Sequence, residues 1–144
     1  MENKDWTLLA IAAAGTRGLT PVHLQKSLFL LSRNLDRSQL SMASPLYDFQ
    51  PYDYGPFDSA VYRDAEALAT AGLVLIADSY KPRTYLATEA GIGCAAELRH
   101  RAGAPAVRYL DEVVRWVLSQ RFGELVRAIY ENYPEMRQRS VFRE

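Results

Sequence analysis

The side chains that acid–base, nucleophilic or metal chemistry would recruit are few here: two histidines, one cysteine and a spaced set of aspartates. His23 and His100 fall on different helical segments. Neither stands at metal-ligand spacing from Cys94 or from a carboxylate, so capping or surface roles are expected of both. Cys94, beside Ala95 and Ala96, reads as a buried, inert thiol. A single cysteine allows no intramolecular disulfide and suits a reducing compartment. Asp48, Asp53 and Asp58 recur every five residues, but paired-carboxylate catalysis needs two such groups held across a substrate. Turn formation and helix capping explain them more simply. No glycine-rich phosphate loop follows a strand and no nucleophile motif is present. The expectation is a protein that is not an enzyme and uses no cofactor or metal.

Aromatic residues are the more suggestive chemistry. Tyr47, Phe49, Tyr52, Tyr54 and Phe57 lie within eleven residues, interleaved with prolines that stiffen the backbone, and Tyr62 follows. Tyrosine joins a large apolar face to a polar tip at low entropic cost, which suits protein interfaces. The competing reading is that most of these rings cover the core where the segment crosses it, leaving Tyr52 or Tyr54 as the exposed members. Gly55 and Pro56 read as a turn residue and a helix-start residue.

These residues must be positioned by local elements. Trp6 to Ala14 suits a short buried helix ending at Gly15. Thr20 caps a second helix with Pro21 in its first turn; Leu24, Leu28, Leu31 and Leu35 share one face, and the helix ends near Leu35. Residues 36–55 read as an extended, irregular connection. Asp58 caps a third helix with Val61, Ala65 and Leu68 inward, Phe57 stapled onto Tyr62, and Gly72 as its C-terminal cap. Residues 74–77 and 84–87 form a hairpin with a polar tip, and Thr88 caps a fourth helix. A helix over 105–121 carries Val107, Leu110, Val114, Val117 and Leu118 on one stripe, widened by Tyr109, Val113 and Trp116. Its second face either meets the same helix of another subunit, giving a homodimer, or is covered by a following helix at 124–133. Pro134 ends that helix, and 135–144 reads as an exposed tail.

The order helix, helix, helix, hairpin, helix predicts a mainly α protein with a winged-helix-like core: three helices, a two-stranded wing and additional C-terminal helices. Residues 1–134 make a single domain, with its core at 6–102 and a C-terminal helical pair at 105–134. The 17 basic and 17 acidic residues cancel, which removes any global charge argument for nucleic acid or an anionic membrane. The longest early apolar run, Leu8 to Ala14, is too short to span a bilayer, so the expectation is a cytoplasmic protein without membrane contact. For DNA, the third helix offers Arg63 against Asp58, Asp64 and Glu66, while the wing offers Lys81 and Arg83 against Asp78. Carboxylates facing phosphate oppose the interaction that supplies most of the affinity.

Leu24-Gln25-Lys26 followed by Leu28-Phe29-Leu30, and Tyr54-Gly55-Pro56 followed by Val61-Tyr62, resemble motifs of the Panacea (SocA-like antitoxin) family. Gly72-Leu73-Val74 and Tyr130-Glu131-Asn132-Tyr133-Pro134 are similar to segments of uncharacterised winged-helix-like relatives. The chain departs from the antitoxin pattern in its hairpin and its long C-terminal helices. The resemblance implies a non-enzymatic role: holding a toxin inactive, or delivering a bound client to a protease. It also implies that Lys26 hydrogen-bonds carbonyls of the aromatic segment. The leading expectation is therefore a protein-binding module that uses residues 47–62. The alternative is a winged-helix DNA-binding transcriptional regulator using Arg63, Lys81 and Arg83.

Overall fold

A computed structural model describes residues 1–79 and 82–143. Lys81, one of the alternative DNA contacts, lies outside the described residues.

Three of the helix starts follow from a capping side chain. Thr20 Oγ1 accepts the His23 amide at 3.3 Å and His23 Nδ1 accepts the Thr20 amide at 3.3 Å, so His23 closes a reciprocal cap. Asp58 Oδ1 accepts from the Ala60 amide at 2.9 Å, and Thr88 Oγ1 from the Gly91 amide at 3.0 Å. The α-helices are α1 (Asn3–Ala13), α2 (Pro21–Asn34), α3 (Ser59–Thr70), α4 (Glu89–Ala102), α5 (Ala104–Ser119) and α6 (Phe122–Asn132). Two antiparallel pairs accompany them. β1 (Gln50–Tyr52) pairs with β2 (Gly55–Phe57), and β3 (Val74–Ala77) with β4 (Thr84–Ala87). The protein is thus mainly helical, with two small two-stranded sheets.

α1 is the axis of the core. Six consecutive residues, Trp6 to Ile11, are buried, so the helix is enclosed on all sides. It packs against α2, α3, α4, α5 and β4. Trp6 Nε1 donates to the Leu40 carbonyl at 3.0 Å, which satisfies the indole and ties the loop after α2 to the core. Leu19 exchanges backbone bonds with Tyr85, at 3.0 Å and 2.8 Å, joining the approach to α2 to the β3–β4 hairpin.

The expected irregular connection at 36–55 is corrected: its end forms a hairpin with β2. Pro51 stands opposite Pro56, flanked by the pairs Gln50–Phe57 and Tyr52–Gly55. In an antiparallel ladder alternate pairs exchange no hydrogen bonds, so two residues without N–H groups fit that place. The proline signal that spoke against a strand is compatible with one at this register.

The expected exposed tail is corrected as well. Most of its side chains face solvent, but Met136 is buried in a 3₁₀ turn (Pro134–Arg137). The Val141 amide donates to the Asp53 carbonyl at 2.9 Å. The C-terminal segment is docked on the turn of the β1–β2 hairpin. The α5 boundary also differs: the helix stops at Ser119, and α6 starts at Phe122 with Gly123 inside its first turn.

Candidate protein-interaction surface

The segment 47–62 is built in two layers. Tyr47 and Phe49 form the inner one and are buried. The Phe49 ring meets Phe29 at 5.7 Å and Tyr47 at 5.9 Å, both edge-on. The Tyr47 hydroxyl donates to Asp64 Oδ2 at 2.6 Å and lies 2.6 Å from Thr7 Oγ1. Burial, then the bonded Asp64 carboxylate, holds the phenol well above its usual pKa, so it stays protonated. Tyr47 and Phe49 are core residues, not contact residues. Tyr47→Phe keeps the ring but strands the buried Thr7 hydroxyl and Asp64; it is expected to cost about 1–3 kcal/mol. Urea unfolding beside the parent chain measures this as a lower midpoint at unchanged slope.

The outer layer is carried by the β1–β2 hairpin, and α2 holds that hairpin in place. Gln25 Nε2 donates to the Asp58 carbonyl at 2.9 Å, and Gln25 Oε1 accepts the Asp58 amide at 3.0 Å, clamping the junction of β2 and α3. Next to it, the Lys26 ammonium donates to the Tyr54 carbonyl. Lys26 is 2% exposed, and its burial lowers the pKa to about 8. Gly55, at φ +111°, closes over it: a Cβ there would come within 3.4 Å of Lys26 Nζ and 3.6 Å of the Tyr130 ring. Pro56 is buried behind it.

From this base the turn projects Tyr52, 45% exposed, and Tyr54, 42% exposed. Each heads a run of rings. Tyr52 stacks on Phe57 at 4.7 Å, Phe57 meets Tyr62 at 5.6 Å, and Tyr62 stacks on Tyr85 at 6.5 Å. Tyr54 meets Phe122 of α6 at 5.2 Å, and Phe122 meets Phe142 at 6.0 Å. Beside the hairpin opens a recess of about 150 Å³, lined by Tyr52, Tyr54, Phe57 and Tyr62 together with Gln25, Lys26 and Asp53. Phe122 and Phe142 belong to this surface although sequence reasoning passed over both. Phe122 stands three residues before Leu125 and four before Val126, a spacing that extends their stripe. For Phe142 no local signal exists.

The other candidates fall elsewhere. Asp58 caps α3 and also accepts the Asp48 amide at 2.8 Å, while Asp48 accepts from Gln50 at 2.9 Å; these carboxylates organise turns. Arg63 donates to Ser59 at 3.0 Å, and Arg83 pairs with Asp78 at 2.6 Å on the surface. Glu66 is exposed and Asp64 is held by Tyr47. Cys94 is half-buried on α4. α6 packs on β2 and the Pro134–Arg137 turn, so the second face of α5 stays open at Trp116, beside Tyr109 and Leu30. No helix among the described residues is long and apolar enough to cross a membrane. Compared with known proteins, the chain matches no family model, no curated protein and no solved structure.

Proposed function

We propose that this protein is a non-enzymatic binding module for another protein, of the antitoxin or proteolytic-adaptor kind, with a winged-helix-like core. One observation carries the reading: Tyr52 and Tyr54 project from the braced β1–β2 hairpin, each leading a run of ring contacts. Exposed tyrosines on a rigid support offer large contact area with little entropy left to lose, as in interface hot spots. The order α1, α2, α3, β3–β4 hairpin, α4 supports the winged-helix-like reading, and the bonds from Gln25 and Lys26 give the Panacea-like motif a physical role. The DNA-binding alternative has less behind it. Arg83 is neutralised by Asp78, and the helix expected to read DNA keeps an exposed Glu66.

A photocrosslinking residue at position 52 in cells, followed by mass spectrometry of the adducts, names the partner. With that partner purified, Tyr54→Ala is expected to weaken binding about tenfold or more, whereas Lys81→Glu with Arg83→Glu leaves it unchanged. Adducts only to nucleic acid, with salt-sensitive DNA retention lost in the Lys81/Arg83 pair, would put the regulator in its place.

A further inference from the structure

The outward face of α5 carries apolar and charged groups in an order that fits the same face turned end for end. Pro105, Tyr109, Glu112 and Trp116 recur every three or four residues, so they share one stripe of the helix. Trp116 is 38% exposed, and with Leu30, Tyr109, Glu112 and Val113 it lines an open groove of about 270 Å³. At the other end of the helix stand Ala104 and Pro105, small and exposed. Arg108 and Arg115 flank Glu112, one turn before it and one turn after, and all three are exposed. None of the three enters an ion pair among the described residues. Arginine four residues before glutamate is the weaker order for a pair within one helix. Both charges are therefore better met from outside it.

We propose that this face is the contact of a homodimer, in which α5 lies antiparallel to α5 of a second copy. A twofold contact sets one patch against itself, so each group needs its complement elsewhere on that patch. In a register centred on position 110, Arg108 stands opposite Glu112 of the second copy, and Glu112 opposite its Arg108. The same register sets the Trp116 indole over Ala104 and Pro105 of the second copy, the large end of the face on the small one. One contact thus pairs the charges twice and covers both indoles. A second copy brings the matching pattern with its own sequence, which is what selects it as the occupant. One helix pair is a small contact, so the dimer is expected to dissociate in the micromolar range.

Analytical ultracentrifugation of the purified chain tests this. The average mass is expected to rise from one chain toward two between about 1 and about 200 µM. Glu112→Arg sets arginine against arginine, and Arg108→Glu sets carboxylate against carboxylate. Each is expected to weaken the dimer about tenfold or more. Mixing the two variants restores association, because their α5 faces are then complementary, and so does combining both changes in one chain. Trp116→Ala weakens the dimer as well, and thermal melts at low concentration check that each variant stays folded. A parent chain that remains monomeric at about 200 µM overturns the proposal. So does a dimer untouched by the charge changes, or a mixture of the two variants that does not recover. Crosslinks from position 116 to a different protein, with the parent monomeric, would assign the face to that partner instead. The test of the Tyr52 and Tyr54 surface is separate and stands or falls without this one.

Discussion

Gly91→Ala is expected to destabilise the protein by about 3–5 kcal/mol, lowering Tm by roughly 10 °C or more. Gly91 lies in the first turn of α4, where the helix packs directly against Leu73 in the turn between α3 and β3. A Cβ there would sit 1.9 Å from the Leu73 carbonyl oxygen and 2.9 Å from its carbon. Those are backbone atoms, which cannot rotate away as a side-chain tip can. The Leu73 carbonyl is also fixed: it accepts the Thr88 amide at 3.1 Å, while the Leu73 amide donates to Leu68 at 2.9 Å. Thr88 Oγ1 donates to the Gly72 carbonyl at 2.6 Å, closing the junction from the other side. Relief requires moving α4 or β3, and β4 with it, whose Tyr85 backs Tyr62. Gly93→Ala is the control. Gly93 is exposed on the same helix with nothing within 4 Å of a Cβ, so it is expected to gain a few tenths to about 1 kcal/mol from helix propensity. Thermal melts of the two variants should therefore move in opposite directions. Equal, small shifts would show that the α3–α4 junction is looser than its geometry.

The second large effect belongs to Lys26 and is read against pH. Burial lowers its pKa in the folded chain to about 8, from the ordinary lysine value of 10.5. Below pH 8 the side chain is protonated in both states, and the folded state bears the cost of a buried charge. Between pH 8 and 10.5 the folded state holds fewer protons than the unfolded one. Unfolding free energy must then rise with pH, by on the order of 2 kcal/mol at pH 10. Tyr47 and Tyr62 are shifted upward by burial and act in the opposite direction, but only as pH passes 10, so the clean window is pH 8–10. Lys26→Met keeps the length of the side chain and removes the charge. It is expected to exceed the parent in stability at pH 7, with the gap closing as pH approaches 10. Denaturant unfolding at unit pH steps measures it, and two parallel curves would show that Lys26 is not desolvated as described.

Sequence alone determined the elements whose causes are local. Thr20, Asp58 and Thr88 cap their helices through bonds reaching two or three residues along the chain. The β3 and β4 runs, at 74–77 and 84–87, are where β-branched and aromatic residues flank a polar tip. These signals lie within a few residues of what they decide, so a linear reading finds them. The aromatic segment was legible as a feature but not as a site. What separates buried Tyr47 from exposed Tyr52 is a partner 40 residues away, Thr7, and no pattern within 47–57 encodes it. The β1–β2 hairpin was hidden for a related reason. Its prolines spoke against a strand locally, and only their register opposite each other made one possible.

Tertiary structure also decided what the surface is made of. Ser140 reaches the Asp53 carbonyl at 3.3 Å across 87 positions, and this docking carries Phe142 to Phe122 and so to Tyr54. Docking of this kind depends on the summed burial of groups far apart in sequence, such as Met136 in its 3₁₀ turn, and their meeting is a property of the fold alone. The chain dictates its helices residue by residue. Which of its rings face outward, and that they flank a recess lined in part by a buried lysine, is dictated by how those helices close on one another.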